Sequence, residues 1–268
     1  MSGRFYPRDK VELAASVTAL LRDAGSSPTA PYRAVIVPHA GYVYSGPTAA
    51  AVFARVTLPD LIVIVAPNHT GACRAPGGVS LWEDGAFRTP LGDVPVDAAC
   101  AARVAAATSL VAVDHEAHRG EHAIEVLLPF LQALKPAPGV RIVPLVLAWD
   151  GWEAAREMGE ALARVVRETG EQVLLVASSD LNHYEPAAVS EKKDARALEA
   201  VTALDGAELL ARCRRERISM CGRGPAAVVI AAARALGASR ADVVDYRHSG
   251  WASGDDSQVV GYGGVVIP

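Results

Sequence analysis

Histidine recurs three times in one setting in this chain, directly after an apolar run. His39 follows Ala34-Val35-Ile36-Val37-Pro38, and His69 follows Leu61-Ile62-Val63-Ile64-Val65-Ala66-Pro67-Asn68. Asp180 and His183 follow Val173-Leu174-Leu175-Val176-Ala177-Ser178-Ser179. Imidazole and carboxylate are ligands for transition metals. Short β-branched runs bounded by Pro and Gly predict buried parallel strands, and ligands bind beyond the carboxyl ends of such strands. The three histidines are therefore expected at one edge of one sheet, around a metal. Each residue alone has a plainer reading. His39 could cap a following helix, and Asp180 could cap backbone N–H groups in a turn. Asp180 and His183, three residues apart, could instead orient one another as an acid–base pair.

Cys221 precedes Gly222-Arg223-Gly224-Pro225, which opens a helix with proline in its first turn. A thiol there, beside Arg223, is expected to have a lowered pKa, and thiolate is a strong ligand for Zn, Fe or Cu(I). The plainer reading is a small buried residue, which is assigned to Cys73, Cys100 and Cys213. The stretch His118-Arg119-Gly120-Glu121-His122 matches H-x-x-E-H, a zinc-peptidase pattern. Gly120 inside the motif argues against it. Glu121, His122 and Glu125 are better placed as polar lining where their helix faces the pocket.

These residues need elements to position them. Apolar spacing predicts helices over Asp9–Asp23, Thr48–Arg55, Asp97–Ala107, Glu121–Leu134 (kinked at Pro129), Glu153–Glu168, Asp194–Leu204, Gly206–Arg215 and Ala226–Leu236. Further strands are expected at Arg141–Leu147, Ala241–Tyr246 and Gln258–Ile267, with a loop or hairpin over residues 70–96. Alternation of strand and helix predicts a single α/β domain over residues 1–268, with a mostly parallel mixed sheet covered by helices on both faces.

Composition narrows the classes. With 51% apolar and 21% charged residues the chain is globular. A net charge of -4 without a basic run offers nucleic acid and anionic membrane no landing site. The start of the chain lacks the apolar core of a signal peptide, and no apolar stretch reaches bilayer length. Four scattered cysteines suit a reduced, cytoplasmic protein.

Several segments, in order along nearly the whole chain, resemble the Memo family, called protein B of the AmmeMemoRadiSam system in prokaryotes. They are Phe5-Tyr6-Pro7, Pro38 to Gly46, Pro67-Asn68-His69-Thr70-Gly71, Thr89-Pro90-Leu91-Gly92, Glu121-His122-Ala123-Ile124-Glu125, Ser178 to His183 and Met220-Cys221-Gly222-Arg223. That family is similar in fold to class III (LigB-type) extradiol dioxygenases. The resemblance implies a metal triad of His39, His69 and Cys221, with Asp180 and His183 as catalytic groups beside it. Glu121, His122, Glu125, Tyr44 and Arg223 are then expected to line the pocket. Cysteine in place of the dioxygenase carboxylate implies Fe(II) or Cu(I), with Zn as a third metal, and redox or oxygenase chemistry on a small molecule. A metal- or peptide-binding module without turnover is the alternative, and a zinc peptidase on His118 and His122 a weaker one. A functional link to a radical-SAM protein is also implied.

Overall fold

A computed structural model describes residues 1–25, 29–136 and 139–268. In chain order the elements are α1 (Lys10–Asp23), β1 (Ala34–Val37), α2 (Tyr42–Phe53), β2 (Leu61–Pro67), β3 (Val79–Leu81), β4 (Ala86–Thr89), β5 (Gly92–Pro95) and α3 (Ala98–Ala107). Then come β6 (Val111–Val113), α4 (Leu128–Leu134), β7 (Arg141–Leu147), α5 (Trp152–Thr169), β8 (Val173–Ser178), β9 (His183–Glu185) and α6 (Ala187–Thr202). The chain closes with α7 (Gly206–Arg215), α8 (Arg223–Ala235), β10 (Asp242–His248), α9 (Gly250–Ser253) and β11 (Val259–Ile267).

One sheet runs β10-β11-β1-β8-β2-β7-β3-β6, with β9 paired to β11, while β4 and β5 form a separate hairpin. The four central strands, β1, β8, β2 and β7, are parallel, as their unbroken apolar runs predict. Antiparallel pairing enters outside them, at β11 against β1 and at β3 against β7. Alternate residues of each central strand feed two cores. Ile36, Val63 and Leu175 pack with α5 and α8 residues on one face; Val35, Ile62 and Val176 pack with α1, α2 and α4 residues on the other. Among the described residues no helix is long and apolar enough to cross a membrane.

Two expectations change near the site. Residues 121–124 are not helical; a 3-10 turn at Glu125–Leu127 leads into the short α4, with Pro129 in its first turn. Glu121 Oε1 accepts from the backbone N–H groups of His122 and Ala123, holding a turn ahead of the helix. Pro129 thus starts a helix instead of kinking one. Helix α2 begins at Tyr42, directly after Gly41, six residues earlier than its apolar pattern suggests. Gly41 turns the chain at an ordinary φ of -59°.

Candidate metal centre

β8 lies between β1 and β2, so the residues after these three strands share one edge. Val37 pairs with Ser178 in the β1–β8 register. His39 comes off β1, His69 off β2, and Ser178 to Asp180 come off β8. The fourth contributor is the turn holding His122, whose ring packs T-shaped on His39 (5.3 Å) and stacks on His69 (4.5 Å). Phe5 stacks on the other face of the His122 ring at 4.4 Å. One potential ligand atom from each of His39, His69 and His122 lies within 4.8 Å of the others. The three side chains are so placed that they could hold one metal ion.

The hydrogen bonds behind these rings suit that role. Ser178 Oγ donates to the Ala123 carbonyl at 2.6 Å, so at 2.7 Å from His39 Nδ1 it must accept. That puts the proton of His39 on Nδ1 and leaves the Nε2 lone pair free. Glu121 repeats the device: Oε1 accepts from His69 Nδ1 at 2.9 Å and Oε2 from the His69 backbone N–H at 2.7 Å. Partners of this kind fix tautomer and ring orientation in metal sites. Burial, with the nearby His69 charge, pushes His39 down to about 3. Burial and the neighbouring His39 push His122 down to about 4. Both rings are therefore neutral near pH 7, the form that ligates. Burial also pulls on His69, but the hydrogen bond and charge of Glu121 outweigh it and raise its pKa. Glu121 itself is buried, which would raise it, yet its bonds to His69 and the backbone hold it down to about 2.

Cys221 stands beside His39, its Sγ 3.5 Å from Nε2, and is not one of the three side chains whose ligand atoms all lie within 4.8 Å of one another. The Asp180 backbone N–H points at the sulfur, 3.3 Å away. The expected low pKa is not found. Burial and the Asp180 charge push the thiol far up, and Arg223 is turned away, its Nε donating to Asp150 Oδ2 at 2.6 Å. Without a metal, Cys221 is a neutral thiol.

The expected Asp180–His183 pair does not form a hydrogen bond in the structure. Asp180 is buried and accepts the backbone N–H of His39 at 2.8 Å, and burial raises its pKa. It positions His39. His183 sits on β9, its backbone N–H donating to Ser219 Oγ, and its buried Nδ1 has no partner. His118 is turned away from the centre: Nε2 lies 3.1 Å from the Ser80 carbonyl, in a non-helical turn with Gly120 at φ +80°. His118 and His122 are therefore not a helical i, i+4 pair, and His118 is not in the ring cluster, so the peptidase reading falls. Glu125 accepts the Tyr6 hydroxyl and so anchors the segment that carries Phe5. Tyr44 is exposed on α2, away from the cavity beside Cys221, whereas Arg223 does line that cavity. His122 was expected only as lining; its adjacency to Glu121 was the available signal.

The Memo-like protein family model matches residues 1–266. A MEMO1 family protein of Methanopyrus kandleri is 40% identical over 100% of this chain and 97% of its own length. One from Methanothermobacter thermautotrophicus is 37% identical over 98% of this chain and 96% of its own. The chain belongs to the Memo family. An uncharacterized protein from Escherichia coli K12 shares the fold, with a TM-score of 0.56 at 15% identity, covering 88% of this chain and 99% of that one.

Proposed function

We propose that the protein is a metal-dependent redox protein holding Fe(II) or Cu(I), with Zn as the competing metal. His39, His69 and Cys221 are the donors, and His122 adds a third imidazole. The supporting observation is the convergence of three neutral-capable rings, two of them with the opposite nitrogen tied down, His39 to Ser178 and His69 to Glu121. A sulfur donor beside imidazoles favours soft or redox-active ions. Such an ion supplies electron transfer or Lewis acidity to a small substrate. The chain's own residues do the rest. Asp180 and Ser178 hold His39 from both sides, Glu121 holds His69, and Phe5 keeps the His122 ring in place. Cys221 would give up its proton to serve as a ligand. His183, with an unpartnered Nδ1, can carry a proton at the rim.

A binding module without turnover is the second reading, favoured by the fourth donor: four protein ligands close a tetrahedral site, and catalytic sites keep one position open. Oxygen uptake by Fe(II)- or Cu(I)-loaded protein with a panel of small phenols separates the two. A flat trace with every loaded form points to the module.

The donor set is tested by anaerobic loading with Co(II). A thiolate-to-metal charge-transfer band in the near ultraviolet is expected for the native protein, and its loss is expected in Cys221→Ser. Affinity should drop by about tenfold or more in His39→Ala and His69→Ala, since each removes a ligand and leaves its partner unpaired. Native protein that binds no Co(II) would overturn the metal reading. Bound Co(II) without the band would remove the sulfur from the donor set.

A further inference from the structure

A cavity of about 350 Å³ has Cys221 on one wall and the first turn of α8 on another. The charges around it do not balance. Asp150 Oδ2 accepts from Arg223 Nε at 2.6 Å, and Asp150 Oδ1 from Arg214 Nη2 at 3.2 Å, so one carboxylate faces two guanidinium groups. Arg223 Nη1 donates to the Met220 carbonyl at 3.2 Å, whereas Nη2 has no hydrogen-bond partner among the described residues. The guanidinium plane is thereby fixed with one edge unused. The backbone N–H groups of Arg223 and Gly224, both lining the cavity, are also without partners, because the first turn of a helix has none to offer. The remaining wall is apolar or already occupied: Pro67 and Leu147 carry no polar side chain, and the Trp149 indole N–H donates to the Gly77 carbonyl.

We infer that this cavity binds the carboxylate of a small monoanionic substrate, with Arg223 as the specificity-determining residue. Donors exceed acceptors there: Arg223 Nη2 and two backbone N–H groups are unused, while the Asp150 carboxylate is shared with Arg214, which lies outside the cavity lining. Arginine with a fixed plane suits a carboxylate better than a point charge does. The apolar wall would carry the body of the substrate toward Cys221. This inference rests on the proposed metal reading only for where the reacting end lies; the anion site stands on its own donors.

The test uses the protein stripped of metal by chelation, titrated calorimetrically with butyrate and with the isosteric butyramide. Butyrate is expected to bind about tenfold or more tightly than the amide, the worth of one charge-assisted contact. Arg223→Gln should abolish that preference. Asp150→Asn, which removes the competing carboxylate, should tighten butyrate binding severalfold. The two variants move in opposite directions, so misfolding cannot imitate the pair. Co(II) titration of the native protein is read beside the butyrate titration, and either can fail without the other, so a failed metal centre and a failed anion site give different results. Equal affinity for acid and amide, a preference that survives Arg223→Gln, or weaker binding in Asp150→Asn would each overturn the inference.

Discussion

Glu121→Ala is expected to destabilise the protein by about 3–5 kcal/mol, the cost of breaking a buried charged network. Its metal affinity should fall about 10–100-fold at the same time. One carboxylate accepts from the His69 ring, the His69 backbone, and the backbones of His122 and Ala123. Removing it leaves these donors without acceptors and frees two of the three rings. Glu121→Gln keeps the shape, but its amide nitrogen must face a donor, either the His69 N–H or the pair at His122 and Ala123. An intermediate loss is expected there. Urea unfolding gives the stability term, and Co(II) titration of the folded protein gives the affinity term. A Glu121→Ala protein with native unfolding midpoint and native Co(II) affinity would mean that the carboxylate positions nothing.

Asp194→Asn is expected to do the reverse, stabilising the protein above neutral pH. Asp194 is fully buried beneath Gly261, where a Cβ would lie 1.9 Å from Oδ2, and the missing side chain makes room for the carboxyl group. Its partners are the Asn182 backbone N–H and the Tyr246 hydroxyl, and burial raises its pKa to about 7. Glu191 and Glu185 push in the same direction, against those two hydrogen bonds. Below the unfolded-state value near 4, both states are protonated and the group costs nothing. Between that value and about 7, the unfolded chain ionises while the folded one does not, so stability falls as pH rises. Above about 7 the penalty is constant, on the order of 4 kcal/mol. Asparagine keeps the acceptor for Asn182 and offers Tyr246 a donor, without the charge. The difference in urea midpoint between Asp194→Asn and native protein should therefore be small at pH 4.5 and large at pH 8. Equal differences at both pH values would mean that Asp194 ionises in the folded state as it does in the unfolded chain.

The strand ends that carry His39 and His69 were readable because a buried parallel strand leaves an unmistakable apolar run, and polarity returns abruptly where it stops. The bounds of α7 and the core of β7 follow from the same periodicity. His122 was not readable as a member of the ring cluster. Its position depends on Phe5, more than a hundred residues away, and on a turn held by Glu121 where a pattern of apolar residues assigns a helix. The thiol at Cys221 was misjudged for a related reason. Arg223 is its neighbour in sequence, but Asp150 claims the guanidinium, and only the fold brings that carboxylate close. The Asp180–His183 spacing suggests a local pair, while the actual partner of Asp180 is the backbone of His39, just past the end of the adjacent strand. β6 escaped notice because three residues carry no period.

β8 separates the two strands that deliver His39 and His69, and neighbouring strands lie about 4.8 Å apart. The two imidazoles therefore lean toward each other across an intervening strand. Since side chains alternate along a strand, a one-residue slip of β1 or β2 would send its histidine to the opposite side. Ion uptake is then a report on assembly: a chain whose middle three strands have joined in any other alignment should be unable to capture the ion at all.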